Sequence, residues 1–300
     1  MKEELVSVAL CTYNGEKYIE EQLQSIINQT YGNLEITVVD DCSTDGTARI
    51  IREFANRDKR IQFFINSHNL GFNKNFEKAL RLTSGKFIAI SDQDDIWLPD
   101  KLALLRQNIG DNWLIFSNSG YVGDMADGEL LPGFKLPGSY KGILLHNYVT
   151  GHTSMLTREL LQASLPIPEK GYYDWWLGFI AAYRQKIFYL PVILTLHRIH
   201  EESIMQKLSA EQNAEWKAYE NTAEMLNNFA GYHSLAPEDK NFITQLSHTY
   251  QLKGSGSLSV PLMKIIIKYY PELFPNVRPR TMFSKVNFAR KYAEGVKNDA

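Results

Sequence analysis

The densest acidic cluster in the sequence is Asp92-Gln93-Asp94-Asp95, which places three carboxylates within four residues. Carboxylates this close repel one another, and a divalent cation among them removes that repulsion. Oxygen ligands suit Mg²⁺ or Mn²⁺, and such an ion could bridge the two phosphates of a nucleotide diphosphate and stabilise it as a leaving group. The alternative is a solvated acidic turn in which Asp95 or Asp100 caps the helix that begins near Pro99.

Two further polar turns follow apolar segments near the N-terminus. Asp40 and Asp41 come after LEITVV, and a carboxylate there can accept hydrogen bonds from a nucleobase N–H or a ribose hydroxyl. Thr12, Tyr13 and Asn14 come after LVSVALC and offer hydroxyls and a ring that suits packing on a nucleobase. The alternatives are that Asp41 only caps the next helix and that the second segment is an ordinary turn.

Two later segments carry acid, imidazole and guanidinium groups. Asp174 lies among four aromatic residues in YYDWW. Desolvation there would make it a better proton acceptor near neutral pH, and aromatic faces suit the C–H surfaces of sugars. His197, Arg198 and His200 follow the apolar segment 187–196 and could hold a diphosphate, with one imidazole as a metal ligand. The alternatives are a helix N-cap at Asp174 and an exposed basic turn after residue 196.

Alternating strand and helix signals explain how these groups could meet. Apolar runs at 5–11, 34–39, 61–65 and 87–91 predict strands, and the segments between them have apolar residues at helical spacing. The pattern predicts a doubly wound, mostly parallel α/β sheet. Ligands of such sheets bind beyond the carboxyl ends of the strands, so the three polar turns should face one crevice. Segment 187–196 predicts another buried strand.

Composition limits the classes of partner. The chain has 300 residues, 44% of them hydrophobic, and a formal net charge of −2, which argues against a nucleic-acid binder. Cys11 and Cys42 make neither a disulfide framework nor a zinc site, so we expect a reducing compartment. The N-terminus lacks a secretory signal, and no apolar run reaches the roughly 20 residues that span a bilayer. We therefore expect a cytoplasmic protein, or one peripheral on the inner face of the membrane.

The end of the chain is basic. Residues 261–300 hold eight Lys and Arg residues against three acidic residues, a net charge of +5. Within this region and just before it, segment 258–270 (LSVPLMKIIIKYY) combines apolar residues with Lys264 and Lys268. A cationic amphipathic helix of this kind can lie on an anionic membrane. The alternative is a helix packed on the rest of the protein.

Taken together, four segments resemble glycosyltransferase family 2, whose members have the GT-A fold: VSVALCTYNGEKYIEEQLQSIINQTY, EITVVDDCSTDGT, NLGFNKNFEKAL and SGKFIAISDQDDIWLPDKL. Their order and spacing agree, and the resemblance covers residues 5–203. SDQDDIW, with the later YDWW and HRIH, is most similar to the bacterial rhamnosyltransferase-like branch, which builds cell-surface polysaccharides. The resemblance implies a Rossmann-like GT-A domain over residues 1–205. A helical region, associated with acceptor or membrane, would cover 206–300.

The resemblance also implies a role for each matching residue. Those that would bind the donor are Thr12, Tyr13, Asn14, Asp40, Asp41, Asp92 and Arg198. Asp94 would be the direct metal ligand, with Asp92 and His200 in the same metal shell. Asp174 would be the general base that deprotonates the acceptor. The branch usually has tyrosine where this chain has His197.

The implied reaction is a single displacement with inversion. A sugar, rhamnose if the branch is right, would move from a nucleotide-diphosphate donor to a saccharide or lipid-linked acceptor with Mn²⁺ or Mg²⁺. One rival is a sugar nucleotidyltransferase, which usually has a glycine-rich loop with Arg and Lys after the first strand, where this chain has Thr12-Tyr13-Asn14-Gly15. Another is a non-catalytic nucleotide-sugar binding protein, which has no need of Asp174.

Overall fold

The computed structural model describes residues 3–122, 134–199, 213–277 and 281–297. The chain divides into two compact units. The first comprises residues 1–133, 148–169 and 173–199, and the second comprises residues 134–147, 170–172 and 200–300. The expected boundary between residues 205 and 206 falls outside the described ranges and stays a prediction.

In the first unit, eight strands form one mixed sheet. Their bounds are β1 Val6–Thr12, β2 Leu34–Asp40, β3 Ile61–Ile65, β4 Phe87–Ser91, β5 Ile96–Trp97, β6 Leu114–Tyr121, β7 Ser154–Thr157 and β8 Ile187–His197. They lie in the order β3-β2-β1-β4-β7-β6-β8-β5. β7 runs antiparallel to β4 and β6, and β5 runs antiparallel to β8, while the remaining pairs are parallel. The predicted α/β class with a mostly parallel sheet is confirmed.

The register of the first strands brings their carboxyl ends to one edge. Thr12 at the end of β1 pairs with Asp40 at the end of β2, and Leu10 pairs with Ser91 at the end of β4. All side chains of β1 and β4 are buried, as expected of parallel strands covered on both faces. The polar turns that follow β1, β2 and β4 therefore begin side by side, as the alternation of strands and helices predicted.

Six described helices belong to this unit: α1 Ile19–Ile27, α2 Thr47–Arg57, α3 Phe72–Leu82, α4 Lys101–Asn108, α5 Arg158–Ser164 and α6 Tyr173–Tyr183. In α1, the buried apolar residues Ile19, Leu23 and Ile26 recur at helical spacing and pack in the same core as β1 and β2. The amphipathic pattern read from the sequence thus matches the face that is buried.

The last long strand is less buried than its apolar sequence predicted. In β8, Phe188 and Val192 are exposed, and only Leu194 and Thr195 are fully buried. The reason is its position. One side of β8 pairs with β6, but its other side meets only the two-residue strand β5, opposite Thr195 and Leu196. The first half of β8 is therefore an edge.

The second unit contains five described helices: α7 Ala214–Ala230, α8 Pro237–Gln251, α9 Val260–Lys268, α10 Tyr270–Leu273 and α11 Met282–Tyr292. Helix α9 lies within the segment for which membrane contact was considered, and its residues Leu262, Ile265 and Ile266 are buried. One side of this helix is therefore packed, while Leu258 and Val260 are exposed, and membrane contact through 258–270 stays a prediction. Within the described ranges, no helix combines the length and apolar character needed to cross a bilayer.

Candidate active site

Gln93 joins the acidic turn after β4 to the turn after β1. Its side chain accepts a hydrogen bond from the backbone N–H of Tyr13 (2.8 Å) and donates one to the carbonyl of the same residue (3.0 Å). A neighbouring strand would make the same pair of bonds. A Cβ at Gly15 would lie 2.3 Å from the Gln93 side-chain oxygen, so a larger residue there would displace the Gln93 amide. Gln93 therefore fixes the spacing between two of the three polar turns.

Asp95, the last acid of the turn, is buried against two histidines. Its Oδ1 lies 2.9 Å from Nδ1 of His197. Burial opposes ionisation, but the hydrogen bond from His197 and the neighbouring basic groups outweigh it and lower the pKa of Asp95. The hydrogen bond to Asp95 in turn raises the pKa of His197. Each partner therefore favours the charged form of the other, a carboxylate beside an imidazolium.

His152 lies over His197 with the two rings nearly parallel, at 14° and 5.1 Å between centroids. Burial lowers the pKa of His152 to about 4, so this imidazole is neutral near pH 7. Its Nδ1 lies 3.7 Å from Oδ2 of Asp92 and 4.0 Å from Oδ2 of Asp95. Because His152 is neutral, these contacts are not ion pairs, and the imidazole keeps a lone pair for a ligand.

Two atoms of this cluster are buried without a hydrogen bond. Among the described residues, Oδ2 of Asp95 and Nε2 of His152 have no partner, and an orphaned polar atom costs about 1–3 kcal/mol. One ligand atom each from Asp95, His152 and His197 lie within 4.8 Å of one another. Two imidazoles and a carboxylate are a suitable donor set for a divalent transition-metal ion. The residues present therefore fit a metal ion.

Lys101 holds in place the cluster formed by Asp95, His152 and His197. It is fully buried, its Nζ donates to the carbonyl of His152 and to Oγ1 of Thr195 (2.9 Å), and it lies 3.7 Å from the centre of the Trp97 ring. Burial holds the pKa of Lys101 well below its usual value. The lysine fixes the backbone before β7 against β8, and so sets the position of His152.

Asp92 and Asp94 are more accessible than Asp95. The side chain of Asp92 is 37% exposed. Its partial removal from water, followed by the charges of Asp95 and Asp94, raises the pKa of Asp92 well above its usual value. The charge of Asp174 acts in the same direction. A cation placed among these carboxylates would offset the repulsion between their negative charges and favour the ionised form of Asp92.

Asp174 lies in the first turn of α6 and is connected to the cluster through the backbone. Its Oδ2 accepts a hydrogen bond from the N–H of Gly151 (3.2 Å), the residue before His152, and its Oδ1 accepts one from the N–H of Trp175 (2.6 Å). A Cβ at Gly151 would lie 2.0 Å from the Tyr173 hydroxyl, so only glycine fits. The short 3₁₀ segment 151–153 therefore ties the candidate base to the candidate metal ligands.

The aromatic neighbours of Asp174 play a different part from the one the sequence suggested. Trp175 and Trp176 are buried, and the indole N–H of Trp176 donates to the carbonyl of Ser164 (2.8 Å). Tyr173 is also buried and stacks on Phe76 at 4.2 Å. These three rings belong to the core of the unit, as in the helix alternative, and are not available to a sugar face.

Arg198 follows β8 and lies against the acidic turn. Its Nε donates to the carbonyl of Asp94 (3.2 Å), and its Nη2 pairs with Glu21 (2.6 Å) at the start of α1. The guanidinium also lies over the ring of Tyr18. Arg198 thus lies beside the predicted metal ligand. His200 lies outside the described residues, and its assigned role stays a prediction.

Asp40 and Asp41 make their hydrogen bonds inside the protein. Asp40 accepts from Thr12 Oγ1 (2.7 Å) and from the backbone and side chain of Ser43. Asp41 accepts from the side chain of Asn66 and from the backbone N–H groups of two residues in the loop 66–71. Both carboxylates are buried. The structure therefore uses them to build the turns at this edge.

Two residues of the β1 turn differ in exposure and role. Tyr13 is 48% exposed, so its ring is accessible to a ligand. Asn14 has a positive φ of 50° and uses its side-chain oxygen to accept a hydrogen bond from the N–H of Thr44 (2.9 Å). Its backbone N–H donates to Ser43 Oγ (2.8 Å). Asn14 therefore holds the turns after β1 and β2 together.

Comparison with known proteins agrees with this arrangement. Residues 7–163 match the family described as Glycosyl transferase family 2. The chain belongs to this family. This glycosyltransferase is 30% identical over 225 residues to the Escherichia coli UDP-Glc:alpha-D-GlcNAc-diphosphoundecaprenol beta-1,3-glucosyltransferase WfgD, covering 72% of this chain and 85% of that protein.

Solved structures of other glycosyltransferases share the fold. Residues 1–349 of Staphylococcus aureus TarS in complex with UDP-GlcNAc superpose with a TM-score of 0.62 at 20% identity, covering 97% of this chain and 88% of that one. The mannosyltransferase PcManGT from Pyrobaculum calidifontis, in complex with GDP-Man and Mn²⁺, gives 0.59 at 16% identity, covering 97% and 80%. This glycosyltransferase therefore has the GT-A fold that the sequence predicted.

Two residues of the glycosyltransferase site were not assigned a role from the sequence: Lys101 and His152. Asp95 was counted in the acidic cluster, with Asp95 or Asp100 as a helix cap in the alternative, and the N-cap residue of α4 is Asp100. His152 is a single histidine before a strand, a pattern with no distinctive spacing. His197 did offer a signal, because it replaces the usual tyrosine of the resembled branch.

Proposed function

We propose that this glycosyltransferase is an inverting, metal-dependent enzyme that moves a sugar from a nucleotide-diphosphate donor to a saccharide or lipid-linked acceptor. Its pathway would be the synthesis of a bacterial cell-surface polysaccharide. The observation that carries the proposal is the hydrogen bond from Gly151 to Asp174, next to His152. Through it, the candidate base shares a short rigid segment with the metal-ligating cluster.

The metal ion would be Mn²⁺ or Mg²⁺ held by Asp94 and Asp92, the two accessible carboxylates of the acidic turn. The unpartnered atoms of Asp95 and His152 support this proposal, because a cation nearby would compensate for the hydrogen bonds that they lack. When bound, the ion would neutralise the diphosphate and stabilise it as a leaving group. A contribution from His200 remains part of the proposal.

In the proposed reaction, Asp174 takes the proton of the acceptor hydroxyl as the oxygen attacks the anomeric carbon. The bond between that carbon and the diphosphate oxygen breaks as the new one forms, so the configuration inverts. The N–H of Gly151 and the N–H of Trp175 keep the carboxylate of Asp174 in one orientation. Arg198, beside Asp94, would donate hydrogen bonds to the departing diphosphate and stabilise its negative charge.

The identity of the substrates is the least constrained part of the proposal. WfgD is named for a UDP-Glc donor and a diphosphoundecaprenol-linked acceptor, and TarS and PcManGT are described with UDP-GlcNAc and GDP-Man. These names support a nucleotide-diphosphate donor and a lipid-linked acceptor. Rhamnose rests on the resemblance of SDQDDIW and HRIH alone. A thermal-shift screen of UDP-, dTDP- and GDP-sugars with Mn²⁺ would identify the donor, since binding to the native state raises Tm.

Replacing the base tests the catalytic assignment. Asp174→Asn keeps the size of the side chain and one of its two hydrogen bonds from backbone N–H groups. It removes the proton acceptor, so kcat should fall by about a hundredfold to ten-thousandfold. Donor affinity should stay within about twofold of the parent, since Asp174 serves the acceptor. The matched control is Asp111→Asn, the same change on an exposed turn. Turnover of Asp174→Asn at the parental rate would show that another group accepts the proton.

Metal removal tests the cofactor assignment. EDTA should abolish transfer and Mn²⁺ or Mg²⁺ should restore it. Titration of Mn²⁺ into metal-free protein with UDP, followed by calorimetry after the chelator has been removed, gives a readout independent of turnover. Asp94→Asn should weaken this binding of Mn²⁺. Full activity in a chelator would remove the metal role of Asp94. Sugar transfer by the parent would exclude a non-catalytic donor-binding protein. Release of a nucleotide diphosphate, without pyrophosphate, would exclude a nucleotidyltransferase.

A further inference from the structure

Helix α11 is firmly attached to the second unit along one side. Phe288 meets Phe274 and Tyr270 edge to face, at 4.9 and 5.3 Å between ring centroids, and Tyr292 meets Phe274 at 5.1 Å. Ala289, between them on the same side, is fully buried. The hydroxyl of Thr281 caps the helix by accepting from the N–H of residue 284. The orientation of the helix is therefore fixed.

The first turns of α11 expose large apolar side chains. Phe283 is 86% exposed, Met282 69% and Val286 36%. Phe283 and Met282 are the two most exposed large hydrophobic residues among those described. Because the other side of the helix is packed, turning the helix to bury them would expose Phe288 and Ala289. The apolar side chains therefore stay outside in the free protein and are available to a partner.

The charge around these residues is positive. Residues 281–297 contain four basic side chains and one acidic side chain. Arg290 and Lys291 are exposed in the last turn of α11, and the acid, Glu294, pairs with Arg290 at 2.7 Å. Lys291 and Lys297 add positive charge on the exposed part of this segment. A partner for this face should accordingly carry negative charge beside an apolar layer.

We propose that α11 docks on an anionic phospholipid surface, with Met282, Phe283 and Val286 in the headgroup region and Lys291 against the phosphates. A helix of this kind lies in the interface and inserts its apolar side chains by about 5–10 Å. Three apolar residues are too few for a stable protein interface, which needs about 20–30 residues on each side. The charge and the small apolar area together fit a bilayer better than a second protein.

This placement differs from the one expected from the sequence, which put membrane contact at residues 258–270. In α9, Leu262, Ile265 and Ile266 are buried and Val260 is exposed, whereas α11 exposes its larger apolar residues Met282 and Phe283. The purpose of the docking rests on the proposed function, because a lipid-linked acceptor lies in the membrane. Vesicle binding is measured without donor or acceptor, however, so its failure and the failure of the transfer reaction are separate results.

The test is flotation of the full chain with vesicles of phosphatidylglycerol and phosphatidylethanolamine, compared with neutral phosphatidylcholine vesicles. The parent should float with the anionic vesicles and bind the neutral ones much more weakly. The double variant Met282→Ser, Phe283→Ser should reduce partitioning by about tenfold or more, since it removes most of the apolar area. Lys291→Gln should reduce it by about fivefold, and added salt should act in the same direction.

The matched control is Phe188→Ser, Val192→Ser, which shortens two exposed apolar residues of the sheet edge in the first unit. It should leave vesicle binding unchanged, and circular dichroism should show both double variants folded. The proposal is overturned if the parent does not float, or if the Met282 and Phe283 variant floats like the parent. It is also overturned if the parent forms a dimer that this variant dissolves, because the occupant would then be a second copy.

Discussion

Replacing Asp41 by asparagine separates a structural role for this carboxylate from direct contact with a donor. Asp41 is buried, and its Oδ1 accepts hydrogen bonds from the Asn66 side chain (2.7 Å) and the N–H of Leu70 (2.8 Å). Its Oδ2 accepts one from the N–H of Gly71 (2.9 Å). Asparagine supplies one oxygen for two of these donors, but its NH₂ group then faces the third. Flipping the amide leaves two donors unpaired instead of one.

The loss of stability expected for Asp41→Asn follows from this count of hydrogen bonds. A hydrogen bond to a charged group contributes about 1.5–3 kcal/mol, and a buried donor left unpaired costs about 1–3 kcal/mol. Asp41→Asn loses one bond of three and sets two N–H groups against each other, so the free energy of unfolding should fall by about 2–4 kcal/mol. In a domain of this size Tm should fall by about 4–16 °C.

Urea and thermal unfolding without ligand measure the effect on stability, and calorimetry with the nucleotide diphosphate measures donor affinity. Asp100→Asn is the control, because Asp100 is exposed and accepts one hydrogen bond, from Thr30. It should change stability by less than about 0.5 kcal/mol. A loss below about 1 kcal/mol for Asp41→Asn, together with a large loss of donor affinity, would refute the loop-building role.

Three further substitutions test the contacts that hold the site. Gly151→Ala forces a Cβ against the Tyr173 hydroxyl and should lower both stability, by about 1–3 kcal/mol, and kcat, whereas Gly32→Ala, with open space around it, should change neither. Gln93→Ala removes both bonds to the β1 turn and should raise the KM for donor by about fivefold or more, with a smaller effect on Tm. Hydrogen bonds lower the pKa of Glu35 in spite of its burial, so its carboxylate stabilises the fold fully above its unfolded pKa of 4.5. The stability difference between the parent and Glu35→Gln in urea should therefore be largest near pH 7 and vanish as the pH falls through the folded pKa.

The first half of the sheet could be predicted from the sequence because its signals are local. Each of the strands β1 to β4 is a short apolar run, and β1, β2 and β3 are each followed directly by a helix. Parallel pairing then requires their carboxyl ends to meet at one edge. The positions of the Thr12, Asp40 and Ser91 strand ends follow from that rule without any knowledge of tertiary contacts.

The second half could not be predicted in the same way, because its determinants are distant in sequence. β7 lies between β4 and β6 and runs antiparallel to both, although 32 residues separate the end of β6 at Tyr121 from the start of β7 at Ser154. Local patterns do not specify such a pairing. His152 precedes β7 and meets His197 at the end of β8 only through this pairing. Lys101 was unremarkable in the sequence because its burial depends on the same long-range arrangement.

The polar side chains at this edge divide into two sets that the sequence motifs do not distinguish. Asp41 accepts hydrogen bonds from the Asn66 side chain and from two backbone N–H groups, and Gln93 bonds to the backbone of Tyr13, so both fix the turns. Asp95 and His152 each keep a buried atom without a partner, which costs folding free energy that no internal contact recovers. A fold retains such atoms where a ligand satisfies them in the working state. Asp41 therefore builds the turns at this edge, whereas Asp95 and His152 each retain an unpartnered atom beside Asp92, one of the proposed metal ligands.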